Sequence, residues 1–218
     1  MIEFQNVSYS HNKGYGVNNL NMLIKNGDFT FLIGPTGSGK TTLMRLLYFD
    51  LFPDSGIVKV NGNSSNKMSS RDVSKARLNI GMVFQDYKLL SDRNLYENIA
   101  LPLHVMGFTS NQIASRVDEA IELVGLEGKE SHLPRELSGG EQQRASLARA
   151  FIKEPDIILA DEPTGALDTK TGAMVMQLLQ DITGDTSLIM ITHDERVADY
   201  CQRKVRLRDG LIESQGND

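Results

Sequence analysis

The chain has 218 residues, 23% of them charged and 40% hydrophobic, which suits one substantial folded core with a smaller lobe attached. A net charge of -5 gives no support for a nucleic-acid-binding surface, and no nucleic-acid partner is expected. No run of about 18 apolar residues is present to span a membrane.

The N-terminus, MIEFQNVSYS, lacks the basic segment and apolar core of a secretory signal and reads as a first strand. Ile2, Phe4 and Val7, then Leu20, Met22 and Ile24, recur at strand-like intervals around a Gly- and Asn-rich turn from His11 to Asn19. Phe29 to Ile33 is a continuous apolar run ending in glycine, the pattern of a buried parallel strand feeding a tight loop. Thr42 to Phe49 follows as a helix with Leu43, Leu46 and Leu47 on one face. After a turn at Pro53 to Gly56, a strand takes in Ile57, Val58 and Val60. The Ser/Asn-rich segment 63–75 is expected to be an exposed loop with a short helix. Ile80 to Phe84 is another strand, and residues 87–135 turn helical. Within them, Thr109 and Gln112 have capping-box spacing, and Ile113, Val117, Ile121 and Val124 form a stripe assigned to core packing. Gln142 to Ile152 is a helix closed by Pro155. Buried strands are expected at Ile157 to Ala160 and Leu188 to Thr192, with a helix near 172–182 between them. Cys201 is the only cysteine and has no internal disulfide partner, as suits a reducing cytoplasm. Val205 to Ile212 closes the chain as a hairpin around Asp209-Gly210. Alternating strands and helices argue an α/β core carrying a helical insertion.

Gly34-Pro35-Thr36-Gly37-Ser38-Gly39-Lys40-Thr41 matches GxxxxGK[ST] in a strand–loop–helix setting. Its glycines let the backbone curl until amide hydrogens face phosphate oxygens, and the following helix presents its positive end. Lys40 is then expected to reach the β/γ phosphates and Thr41 to ligate Mg²⁺. Asp161 ends the apolar run from Ile157 to Ala160, where a carboxylate needs a partner such as Mg²⁺. Neighbouring strand residues point oppositely, so Glu162 is given a separate task, polarising the attacking water. Gln85 lies just beyond the strand 80–84 and His193 just beyond 188–192. On residue type alone, a solvated loop glutamine and a structural histidine remain open. Ser138-Gly139-Gly140 precedes a helix and makes a second anion cradle.

The segments GPTGSGKT, LSGGEQQR and IILADE, in that order, resemble the ATP-binding cassette (ABC) ATPases along nearly the whole chain. The resemblance implies a P-loop NTPase core of ABC type with an N-terminal antiparallel β portion, as a single domain over 1–218. A helical subdomain at about 87–145 would be inserted in the nucleotide-binding core. It implies ATP and Mg²⁺ as ligands, and catalysis by Glu162, His193, Lys40 and Gln85. Magnesium would be held by Thr41, Gln85 and Asp161, and Thr42 joins the nucleotide contacts. It also implies a homodimer with ATP at the interface, where Ser138, Gly139, Gly140 and Glu141 of one subunit cover ATP held by the other. Asp168 of Ala166-Leu167-Asp168 would link the two sites. The slot of the aromatic that stacks on adenine falls on His11, with Tyr9 and Tyr15 nearby, and Ala166 replaces a more usual polar residue.

The run from Val83 to Arg93, continued by Tyr96-Glu97-Asn98-Ile99, looks like the cell-division ATPases of the FtsE type. That likeness implies an integral membrane partner, an FtsX-like permease-type protein, and a place on the cytoplasmic face of the inner membrane. Lipoprotein-releasing and macrolide-exporter ATPases share much of the pattern and stay open as alternatives, as does a slow-turnover scaffold. The partner is expected near residues 86–106, with Leu89, Leu90, Leu95, Tyr96 and Leu103 as candidates.

Overall fold

The structure, a computed structural model, describes residues 1–11, 14, 16–165, 167–183, 186–192 and 202–216. It divides into two compact units, Met1–Arg77 with Asp185–Asp218, and Leu78–Gly184.

In the first unit, strands β1 (Ile2–Ser10), β2 (Gly16–Ile24), β4 (Ser55–Val60) and β5 (Asn63–Ser64) form an antiparallel sheet in the order β2-β1-β4-β5. The spacing Ile2, Phe4, Val7 is not strict alternation, and the structure shows why all three are nonetheless buried. Pairing slips between Phe4 and Val7, with Asn6 at φ 49°, which returns Val7 to the inner face. Asn21 bridges the irregularity, accepting from Asn6 N–H at 2.9 Å and donating to Asn6 Oδ1 at 3.0 Å.

Strand β3 (Phe29–Ile33) runs parallel to both β8 (Ser187–Ile191) and β9 (Arg203–Arg208). Flanked on both edges, it is buried from Phe29 to Leu32, Thr30 included, as its largely apolar run requires. Strand β10 (Leu211–Gly216) returns antiparallel to β9 through Asp209 and Gly210, both at positive φ. Helix α1 (Lys40–Leu47) buries Leu43, Leu46 and Leu47.

The segment 63–75 holds the short helix expected of it, with more regular structure around it than a loop. It contains β5, a 3-10 turn at Ser65–Lys67 and most of α2 (Ser70–Leu78), a helix of nine residues. Its polar sequence had the look of a loop because α2 buries only Ala76. Ser69 and Asp72 start the helix, the Asp72 carboxylate accepting from Ser69 N–H at 3.0 Å and its hydroxyl at 2.7 Å.

In the second unit, β6 (Ile80–Val83) and β7 (Ile157–Asp161) pair in parallel. With them stand helices α3 (Leu95–Met106), α4 (Ser110–Leu123), α5 (Gly139–Phe151) and α6 (Thr169–Thr183), and a 3-10 turn at Pro134–Glu136. Ile113, Val117, Ile121 and Val124 are buried with Leu95, Ile99 and Leu103 of α3 and Ala145 and Ala148 of α5. At the start of α4, the Gln112 side chain accepts from both Thr109 N–H and its hydroxyl, as the spacing predicted. The chain is thus α/β, with its antiparallel portion at the N-terminus and its helical residues concentrated after 94.

Candidate functional site

The phosphate loop lies in the first unit, between the end of β3 and α1. Gly34 opens it at φ 151°, and a Cβ there would stand 2.1 Å from Leu207 O, so only glycine fits against β9. Pro35, Thr36 and Gly37 form the exposed tip, and Thr41 is also exposed, while Ser38, Lys40 and Thr42 are buried. Gly39 is the N-cap of α1 and supplies no capping side chain. The first intrahelical bond runs from Leu43 N–H to Gly39 O at 2.9 Å, so the preceding amides lie ahead of the helical ladder. The Lys40 ammonium donates to Gly34 O at 2.7 Å and Pro35 O at 2.9 Å. A buried cation, a curled glycine loop and an uncapped helix start together fit a polyphosphate. Beside them, His11 Nε2 lies 3.0 Å from Thr42 Oγ1.

The remaining described site residues belong to the second unit. Gln85 is exposed just past β6. The next turn holds two consecutive non-glycine residues in the left-handed region, Tyr87 at φ 60° and Lys88 at φ 49°. Such backbone costs about 1–2 kcal/mol per residue. Arg149 of α5 offsets it by donating to Lys88 O at 2.7 Å and Tyr87 O at 2.8 Å. Asn98 of α3, fully buried, ties down the following segment through Leu90, Arg93 and Asn94.

Asp161 is the last residue of β7. Glu162 has left the strand, at φ 46°, and Gly165 N–H donates to its carbonyl at 3.1 Å. The alternation argument for separating these two carboxylates is therefore corrected: the left-handed turn after β7, not a strand pleat, sets the direction of Glu162.

Ser138 is the N-cap of α5. Its hydroxyl accepts from Glu141 N–H at 3.3 Å, and the Glu141 carboxylate accepts from Ser138 N–H at 2.7 Å. The Ser138 amide, its hydroxyl and Lys129 at 3.4 Å hold the Glu141 carboxyl below its ordinary range. Gly140 has Thr171 packed where a side chain would be, with Thr171 Cγ2 2.8 Å from an added Cβ. Thr171 in turn donates its hydroxyl to Asp168 at 2.6 Å. Asp168 also accepts from Lys170 N–H at 3.0 Å and Thr171 N–H at 3.1 Å, capping α6. These bonds depress the Asp168 carboxyl, the Thr171 hydroxyl first among them. Within this unit the structure thus brings Gly140 and Asp168 together through Thr171.

Lys129, Arg149 and Thr171 were not singled out by sequence, and Asn98 entered only within the run Tyr96-Glu97-Asn98-Ile99, with no role given to it. Only Asn98 carried a signal, a polar residue on an apolar helical stripe beside Leu95 and Ile99. His193, Tyr15, Ala166 and Cys201 lie outside the described residues. Among the partner candidates, Leu95 and Leu103 belong to the core at 1% and 0% exposure, and Leu89 and Tyr96 are partly buried against it. Leu90 is exposed and lines, with Tyr96, Leu101 and His104, a groove of about 310 Å³ rimmed by Arg93 and Glu97. No described helix is long and apolar enough to cross a membrane.

Comparison with known proteins places these features. The family profile described as ABC transporter matches residues 17–165. The chain is 48% identical over 191 residues to the cell division ATP-binding protein FtsE of Mycobacterium tuberculosis, covering 87% of this chain and 83% of that protein. It is 39% identical over 221 residues to the methionine import ATP-binding protein MetN of Helicobacter pylori, covering 100% of this chain and 68% of the relative. The solved dimeric, post-hydrolysis state of the ATP-binding cassette MJ0796, bound to ADP and Pi, matches with a TM-score of 0.91 at 34% identity. That match covers 100% of this chain and 98% of the other.

Proposed function

The chain belongs to the ABC transporter family and is an ATPase similar to FtsE, and from that premise we propose that it dimerises head to tail around two ATP and drives a separate membrane protein. The observation that carries the proposal is the contrast between two glycine-bearing helix starts. One, at Gly39, is uncapped and has Lys40 beside it; the other, at Ser138, is capped by its own Glu141, whose carboxylate pairs with Lys129 at 3.4 Å. A second copy supplies what each lacks. On this reading residues about 87–145 form the helical subdomain, and Asp168 couples the sites through Thr171 and Gly140.

Residues Gly34 to Thr42 bind the phosphates. The Lys40 ammonium exchanges its two loop carbonyls for phosphate oxygens, a stronger charge-assisted pair. By the family resemblance, Thr41, Gln85 and Asp161 are the residues that would hold Mg²⁺, and the ion would supply neutralisation of phosphate charge when bound. Glu162 polarises the attacking water by accepting its hydrogen bond, and His193 hydrogen-bonds the γ phosphate and orients that water. His11 lies on the adenine side. Hydrolysis removes the γ-phosphate contacts and releases the pair.

The partner is an FtsX-like permease-type membrane protein, which holds the chain at the cytoplasmic face of the inner membrane and in turn controls cell-wall hydrolysis during division. The 48% identity to a cell-division ATP-binding protein supports this choice. The groove at Leu90 is the docking candidate.

The test compares Mg-ATP hydrolysis and molecular mass for the native protein and Glu162→Gln. The expected outcome is turnover by the native protein, and an ATP-dependent dimer with at least about a hundredfold less turnover for the variant. A variant that hydrolyses at the native rate removes Glu162 from the chemistry. A native protein that turns over ATP as a strict monomer overturns the composite site.

A further inference from the structure

The imidazole of His11 does not stand clear of the phosphate loop as a platform for a base alone. Its Nε2 is 3.0 Å from Thr42 Oγ1, across 31 residues of sequence. Tyr9 backs the ring at a centroid distance of 4.9 Å, the planes inclined at 79°, so the ring is braced edge to face. Thr42 is 7% exposed and is the third residue of α1, in the turn whose start carries no side-chain cap.

A threonine hydroxyl has one proton to give. If Nε2 is bare, it takes that proton and the hydroxyl turns only lone pairs toward the helix start. If Nε2 carries hydrogen, the ring donates to Oγ1, and the hydroxyl proton is left for another acceptor. A phosphate at the start of α1 is such an acceptor, and it selects the second arrangement. We propose that His11 is a positioning residue for the phosphate end of the nucleotide, fixing the Thr42 hydroxyl as a donor. The inference rests on the ATP-binding reading given above.

The experiment measures affinity for Mg-ATP and, by competition, for inorganic tripolyphosphate, which has no base to stack. The proteins are native, His11→Phe, His11→Gln, Thr42→Val and the double variant His11→Phe/Thr42→Val. Phenylalanine keeps a platform of larger area and loses the hydrogen bond; glutamine keeps an N–H donor within reach of Thr42. His11→Phe is expected to weaken tripolyphosphate about three- to tenfold, Thr42→Val to match it, and the double variant to fall no further. His11→Gln recovers most of the loss.

Unchanged tripolyphosphate affinity in His11→Phe overturns the proposal and leaves His11 as a base platform. So does full additivity in the double variant, or a native protein that binds ATP without binding tripolyphosphate. Where His11→Phe does not fold, His11→Asn, too short to reach Thr42, replaces it with the same expectations. A native protein that binds neither ligand removes the ATP-binding reading itself, an outcome distinct from the others.

Discussion

Asn98 is the strongest test of how the segment after Gln85 is held. The residue is 0% exposed, and its carboxamide makes four bonds to one short stretch of chain. Its Oδ1 accepts from Leu90 N–H at 2.7 Å, and Nδ2 donates to Leu90 O at 3.1 Å, Arg93 O at 3.0 Å and Asn94 O at 3.0 Å. The Asn94 carbonyl also accepts the Asn98 backbone N–H at 3.0 Å, so it keeps a partner when the side chain is removed. The Leu90 carbonyl likewise keeps the Arg93 backbone N–H at 3.3 Å. Asn98→Ala therefore strands two groups: Leu90 N–H and Arg93 O. At about 1–3 kcal/mol per buried orphan, softened by water entering the space left, the loss is about 2–4 kcal/mol. For a chain of this size that is a fall in melting temperature of roughly 10 °C. Asn98→Asp discriminates further. It keeps the acceptor for Leu90 N–H and turns a carboxylate toward three carbonyl oxygens, so at neutral pH it is less stable than Asn98→Ala. Thermal and urea unfolding, with hydrogen exchange at the Leu90 amide, read both variants. A loss under about 0.5 kcal/mol for Asn98→Ala, the range of an ordinary surface change, refutes the reasoning. So does an aspartate variant more stable than the alanine one.

The clamp at Tyr87 and Lys88 predicts non-additivity. Lys88→Gly is expected to stabilise the native protein by about 1 kcal/mol, because φ 49° costs glycine nothing. That gain shrinks in an Arg149→Ala background, where the turn no longer has to stay left-handed; equal gains in urea unfolding of the two backgrounds defeat the clamp. Glu141 and Asp168 predict acid behaviour. Both carboxyls are held below their ordinary values in the fold, so their contribution is present above about pH 4 and is lost as pH falls through the depressed folded values. Asp168→Asn, which keeps an N-cap oxygen and loses the charge, should flatten the stability–pH curve below about pH 4 and leave the shape above pH 5 unaltered. An unaltered acid limb counts against the assignment.

The fold was legible where apolar periodicity and turn chemistry coincide. The run from Phe29 to Ile33, the Thr109–Gln112 cap and the Asp209-Gly210 turn each announce one backbone conformation, and each is found. In the polar segment 63–75 a short helix was expected, but not its bounds, because α2 buries a single alanine and leaves no apolar stripe to read. Glu162 was misread locally for a different reason. Strand periodicity extrapolates one residue too far when the chain leaves the pleat at φ 46°, and nothing in the residue type marks that exit.

The site divides along the same line. Phosphate chemistry demands given residue types at given short spacings, so Gly34 to Thr41 and Ser138 to Glu141 can be read from eight or fewer consecutive residues. The groups that hold those segments in place obey no such spacing. Arg149 acts on a carbonyl 62 residues away, and His11 on a hydroxyl 31 residues away. An arginine in an alanine-rich helix and a histidine in a polar turn satisfy local rules equally well with or without those partners. What fixes them is the group at the other end: two left-handed residues whose carbonyls are held, and a hydroxyl at an uncapped helix start. Chemistry is therefore written in the sequence at the point of contact with the nucleotide. Its supports are written as pairs, and each pair becomes readable only when the fold has brought both members to hydrogen-bonding distance.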